Sequence, residues 1–233
     1  MHFEDAERIG VYGRSGSGKT TWMKNYIRGK SRIVVFDPMD EYFEMATRIE
    51  HTSAGSIEEV RAAMVANPNG YKIAFVPAGG QEAAALNAIS SLLWRGMAGY
   101  RTARLAWEKT GHKIPKGSRA APKIYLVVEE MNLSFKLHGG ADRVPAFADI
   151  CSRGRRSGIE VAGCSQRVAE VSKRFRGNLS QVAVFAQGDT GDRKAAAEAL
   201  FVPSKELEDL KPFEYIYRET NTVSRQKLKP KKN

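Results

Sequence analysis

The 233 residues, 42% hydrophobic and 27% charged, suit one α/β domain with a substantial core, and the formal net charge of +11 points to an acidic partner, nucleic acid before a membrane surface. Two cysteines, Cys151 and Cys164, and four scattered histidines show no metal-like or disulfide spacing, which excludes a zinc or disulfide framework. No apolar run is long enough to span a bilayer, and the polar, acidic start Met1 to Arg8 is unlike a targeting segment.

In chain order, the apolar run Ile9 to Tyr12 reads as a strand and Thr20 to Arg28 as a helix. Between them, Gly13-Arg14-Ser15-Gly16-Ser17-Gly18-Lys19-Thr20 fits the phosphate-cradling pattern GxxxxGK[ST] in full. Glycines let successive N–H groups turn toward one anion, and the helix N-terminus adds partial positive charge. Gly13, Ser15, Gly16, Ser17, Gly18, Lys19, Thr20 and Thr21 are therefore assigned to a nucleotide. Lys19 reaches its β- and γ-phosphates, and the Thr20 hydroxyl turns to Mg2+.

Arg32 to Asp37 has a buried-strand pattern that stops at Pro38, which lacks a donor. Ser56 to Val65 reads as a helix, Asn67 to Gly70 as a turn and Tyr71 to Val76 as a strand. Gln81 to Met97 is a helix with Leu86, Ile89, Leu93 and Met97 on one face. From Arg95 to Lys123 there are eight basic residues against one acid, Glu108. Within this stretch, 99–122 reads as a helix stub and a mobile, basic insertion. Strands follow at Ile124 to Val128, Ile159 to Cys164 and Gln181 to Phe185, with helices at Val144 to Arg156, Ala169 to Arg176 and Asp192 to Phe201. Phe213 to Tyr217 reads as a final edge strand. The alternation predicts an α/β fold, a mostly parallel sheet with helices on both faces. It divides into a domain over 1–223 and a basic tail over 224–233.

Chemistry gathers around the phosphate loop. Val127-Val128-Glu129-Glu130 ends a buried strand in two carboxylates, as a hydrolytic site needs: Glu129 for the metal side, Glu130 for the attacking water. Gln166, after the strand ending at Cys164, can sense a γ-phosphate or place water. Arg153, Arg155 and Arg156 have few acids near them in sequence. They favour an exposed surface facing phosphate, on DNA or on a neighbour's nucleotide.

The order of these motifs resembles the FtsK–HerA superfamily of ring-shaped DNA-pumping ATPases, most of all the compact genome-packaging ATPases of tailless icosahedral viruses with an internal membrane. The matching residues are Gly13 to Thr20, Phe36-Asp37 with Glu41-Tyr42, Val127 to Glu130, Arg155 to Gly158, and Ser165-Gln166-Arg167. Val168 departs from the proline that FtsK-like proteins carry there, and Glu129 from the more usual aspartate. The resemblance implies a RecA-like P-loop core, a homo-hexamer ring, Mg-ATP hydrolysis between subunits and translocation of double-stranded DNA. It places a trans-acting arginine at Arg155, with Arg153 and Arg156 as close rivals. Lacking room for a winged-helix DNA reader or an N-terminal barrel, the chain fits the minimal viral version.

The reading is thus an ATP hydrolase that packages a viral genome, working in the host cytoplasm and at the virion vertex with capsid vertex proteins as further partners. Arg101, Arg104, Lys113, Lys116 and Arg119 are its expected DNA contacts. A small nucleotide kinase and a non-catalytic, nucleotide-gated assembly or portal component are the alternatives.

Overall fold

The computed structural model describes residues 1–45, 47–50, 55–114 and 116–228. Its N-terminal half runs β1 (Arg8–Tyr12), α1 (Lys19–Tyr26), β2 (Arg32–Phe36), β3 (Thr47–Glu50), α2 (Gly55–Ala66), β4 (Tyr71–Val76), α3 (Glu82–Gly96) and α4 (Ala98–Lys109). Next come β5 (Ile124–Val128), α5 (Met131–Ser134), α6 (Gly140–Arg143), α7 (Pro145–Arg153), β6 (Ile159–Ser165) and α8 (Lys173–Arg176). The chain closes with β7 (Gln181–Phe185), α9 (Thr190–Leu200), β8 (Glu214–Glu219) and β9 (Thr222–Lys227).

The strands form one sheet in the order β3-β4-β2-β5-β6-β1-β7-β8-β9. The pairs from β3 to β7 are parallel, and β8 and β9 add on antiparallel. The central strands are near-continuous apolar runs, as strands covered on both faces must be. The cover is uneven. Met23 of α1 and Ile27 just after it pack with Ile9, Val11, Ile33, Val35 and Val127 on one face. On the other, Leu86, Ile89 and Leu93 of α3, Phe147 and Ile150 of α7, and Ala196 and Leu200 of α9 join Val34, Leu126 and Val161. The α/β fold with helices on both faces is the one expected.

Several elements differ from the sequence reading. The expected stub after Gly99 is α4, three turns long, because Tyr100 and Trp107 find Phe3 at ring-centroid distances of 5.0 and 5.7 Å. That partner comes from the chain's first residues, out of reach of a local pattern. The helix expected through Arg156 ends at Arg153 and tightens into a 3-10 turn over Gly154–Ser157. The helix expected over Ala169 to Arg176 divides into a 3-10 turn, Val168–Glu170, and α8. Thr47–Glu50 adds a strand, β3, on β4. The edge is β9 rather than β8, so the basic tail expected from 224 is sheet as far as Lys227, with Arg225 and Lys227 both paired to Glu214. Pro115 of the basic insertion and residues 229–233 of the tail lie outside the described residues.

Candidate nucleotide site

β5, β6 and β1 are neighbours, so their C-terminal ends bring Glu129-Glu130, Gln166 and the loop after Tyr12 to one edge of the sheet. Ligands in such sheets bind at these ends. The loop is pinned between β6 and β7: Gly13 N donates to Ser165 O at 3.3 Å and Arg14 N to Ala186 O at 2.8 Å. Gly18, at φ 114°, adopts a backbone that side chains rarely allow. A Cβ on Gly13 would lie 2.7 Å from both Phe185 Cβ and Ser17 Oγ.

The cradle is chemically open. Among the described residues, no acceptor takes the N–H of Gly16 or Gly18, and buried Ser17 Oγ has no partner. Lys19 is buried, yet its ammonium meets only Arg14 O, at 3.3 Å, and no described carboxylate pairs with it. A buried cation and unfilled donors at the head of α1 suit a polyphosphate. Thr21, Thr20, Glu130 and Gln166 line the same cleft, about 190 Å³.

Across it stands Glu130, in the left-handed region at φ 39°. Gln166 grips its carboxylate with the side-chain amide, 2.8 Å to Oε1, and with the backbone N–H, 3.2 Å to Oε2.

Glu129 points elsewhere. Tyr42 Oη donates to Glu129 Oε1 at 2.5 Å, and burial pushes this carboxyl up to about 7. No hydrogen bond among the described residues joins it to Thr20. Thr20 Oγ1 instead donates to Glu41 Oε2 at 2.7 Å. Asp37 holds that segment, accepting from Glu41 N at 3.0 Å and Tyr42 N at 2.8 Å. Among the described residues no group of three or more His, Cys, Asp or Glu side chains could hold a metal. Thr20 and Glu41 could hold a magnesium ion, which takes one or two carboxylates beside substrate phosphates and keeps several waters.

Two further features escaped the sequence reading. Glu41 carried a faint signal as part of the Glu41-Tyr42 motif. Phe213 carried none: its N–H donates to Ser17 O at 2.9 Å, and its ring lies 3.0 Å from where a Cβ on Gly18 would stand. Only folding brings the turn before β8 over the phosphate loop.

The arginine cluster lies at the other end of β6. Seven residues at roughly 3.3 Å each put the N-terminal end of β6 about 23 Å from Gln166, so these side chains cannot serve their own loop. All three are exposed, but two have acid partners that the sequence did not reveal. Arg153 pairs with Asp149 at 2.6 Å and Arg156 with Glu108, while Arg155 Nη2 donates to Asn178 O at 3.0 Å.

The expected DNA contacts divide too. Arg104 is buried, bonded to Asp5 at 2.6 Å and Glu108 at 3.0 Å, and Arg101 stacks 4.4 Å over Trp94 while donating to its carbonyl. Arg104 is thus spent inside the chain. Lys113, Lys116 and Arg119 are exposed and have no ion pair among the described residues.

A strand, a glycine loop and a helix opposite a glutamate held at the next strand's end make this a P-loop NTPase fold. No protein-family model and no curated protein matches the sequence. Solved structures share the fold. The genome packaging NTPase B204 from Sulfolobus turreted icosahedral virus 2, in complex with AMPPCP, is 16% identical over 98% of this chain and 99% of its own, with a TM-score of 0.63. VirB4 of Thermoanaerobacter pseudethanolicus matches at 13% identity over 96% and 90% of the two chains, TM-score 0.58. The cytoplasmic domain of the Thermomonospora curvata Type VII secretion ATPase EccC matches 94% of this chain with 25% of its own, at 15% identity and TM-score 0.57. At these identities the likeness is one of fold.

Proposed function

We propose that this chain is an ATP-driven motor that moves double-stranded DNA, packaging a viral genome by hydrolysis at the subunit interfaces of a homo-hexameric ring. The observation that carries the reading is the Glu130–Gln166 pair facing an unfilled phosphate cradle across one cleft. A mere nucleotide-binding switch has no need of a carboxylate fixed opposite Lys19. The full-length likeness to B204, described as a genome packaging NTPase, supports the choice of substrate and task.

In this mechanism Lys19 and the N–H groups of Gly16 and Gly18 bind the β- and γ-phosphates. Glu130 orients the attacking water and is itself oriented by Gln166. Thr20 and Glu41 would hold Mg2+, which would supply neutralisation of phosphate charge. Glu129 and Tyr42 act from behind, fixing the segment that carries Glu41. Arg155, with no carboxylate partner among the described residues and at the far end of β6 from its own loop, reaches a neighbour's nucleotide, with Arg156 as second candidate. Lys113, Lys116 and Arg119 contact DNA phosphates. The host cytoplasm and the capsid vertex, with its proteins, are the working place.

The test is ATP hydrolysis with and without long duplex DNA. A motor is stimulated by the duplex. Transfer of phosphate to a small acceptor without stimulation would instead establish a kinase.

A further inference from the structure

The cations that look best placed for DNA in the sequence are partly spent, whereas a cluster that looks like an ordinary short helix is not. Helix α8 carries Lys173, Arg174 and Arg176 in one turn, and no described carboxylate pairs with any of them. Arg174 Nη1 donates only to Ser152 Oγ at 3.3 Å, and Arg176 Nε to Val171 O at 3.1 Å, leaving most of their N–H groups free.

Lys173 and Arg176 also wall a cleft of about 400 Å³ against α9. At its base lies Arg218, 5% exposed, whose guanidinium donates to the carbonyls of Leu179, Ala199 and Thr220 and meets no carboxylate. Phe201 forms the rim, 75% exposed and stacked on Arg218 at 4.6 Å, in a left-handed conformation (φ 61°) that a bulky residue adopts at a cost. Glu198 is the acid among the cleft's lining residues. Outside the cleft the Asn178 side-chain amide donates to Arg174 O at 2.7 Å and fixes the end of the turn.

A single small anion would need one such cation pair. Three cations on one helical turn beside a cleft walled by two of them fit a polymer of phosphates. We infer that α8 and the cleft beside it bind the phosphodiester backbone of the duplex, with Lys173, Arg174 and Arg176 as the contacting cations. The inference rests on the DNA-motor reading above. Phosphate contacts of this kind carry no sequence information and release counterions on binding.

The experiment measures affinity for a labelled duplex over a salt series, with the wild-type chain and with Lys173, Arg174 and Arg176 all changed to Ala. ATP hydrolysis without DNA is read in parallel. The triple variant should lower the slope of log affinity against log salt by about 2 to 3, at roughly 0.9 per lost contact, with DNA-free hydrolysis unchanged. Lys173→Glu alone, at an exposed and unpaired position that cannot disturb the fold, should weaken binding in the same direction. An unchanged slope in both variants overturns the assignment to α8 while leaving the motor intact. Failure of the wild-type chain to bind duplex at low salt overturns both. Loss of DNA-free hydrolysis with duplex binding retained would show that α8 meets a neighbouring copy, which also overturns the proposal.

Discussion

Gln166 fastens Glu130 twice, through its side-chain amide at 2.8 Å and its backbone N–H at 3.2 Å, and so locks the ends of β5 and β6 into one unit facing Lys19. A carboxylate held this way keeps one orientation without reorganising during the reaction. Glu130→Gln should still bind nucleotide but hydrolyse it about 10² to 10⁴ times more slowly. Gln166→Ala should slow hydrolysis less, and Lys19→Ala should lose both binding and turnover. Single-turnover hydrolysis with labelled ATP separates the three, and near-normal rates for Glu130→Gln would move the water-orienting role away from it.

In the proposed site, the bond from Thr20 to Glu41 favours Glu41 as the metal-side carboxylate. Glu41→Gln should therefore raise the Mg2+ concentration needed for half-maximal hydrolysis more than Glu129→Gln does. Tyr42→Phe, which removes the 2.5 Å bond to Glu129, should produce a milder shift in the same direction. A magnesium titration of the three variants decides between the two glutamates.

Arg155 lies on the turn before β6, at the opposite end of that seven-residue strand from its own phosphate loop. Lys19→Ala and Arg155→Ala proteins, each inactive alone, should regain part of the activity when mixed. In the proposed ring, mixing would create sites with an intact Lys19 and a neighbour's intact Arg155. Arg156→Ala should cost less, since Glu108 already engages that arginine. Mixed rings of confirmed assembly that stay inactive would refute action across subunits.

Glu108 joins Arg156 and Arg104, and those hydrogen bonds hold its carboxyl at about 2, below its ordinary 4.5. A carboxyl depressed by folding adds stability above its unfolded value, and loses it as pH falls through the folded one. Glu108→Gln should lower stability at neutral pH, and the gap from wild type should close between about 4.5 and about 2. Denaturant midpoints across that range measure it. A gap independent of pH would mean that packing, rather than charge, holds α4 to the arginine turn.

Gly154 leaves room for Arg8, a fully buried arginine that donates to Ile150 O at 2.6 Å and Ile159 O at 2.8 Å. A Cβ at 154 would overlap its guanidinium. Gly154→Ala should destabilise the chain by about 1–3 kcal/mol in denaturant unfolding. It should also depress ATP turnover in the assembled ring, because Arg155 sits on the same turn.

The phosphate loop, its strand and helix, and the strand-end placement of Glu130 and Gln166 were legible in the amino-acid order. Their causes are local. Left-handed backbone at Gly16 and Gly18 and the apolar runs of buried parallel strands are decided within a few residues. Partnership was not legible, because a carboxylate is neutralised by whatever cation lies near it in space. Gln166 meets Glu130 across 36 positions because β6 lies beside β5, Thr20 meets Glu41 across 21, and Arg104 is claimed by Asp5 from 99 positions away. Strand order and helix docking therefore chose which acid faces the loop. They also buried Arg104 inside the chain and left the cations of α8 without a carboxylate, since Coulomb attraction and desolvation follow distance and exposure rather than position along the chain.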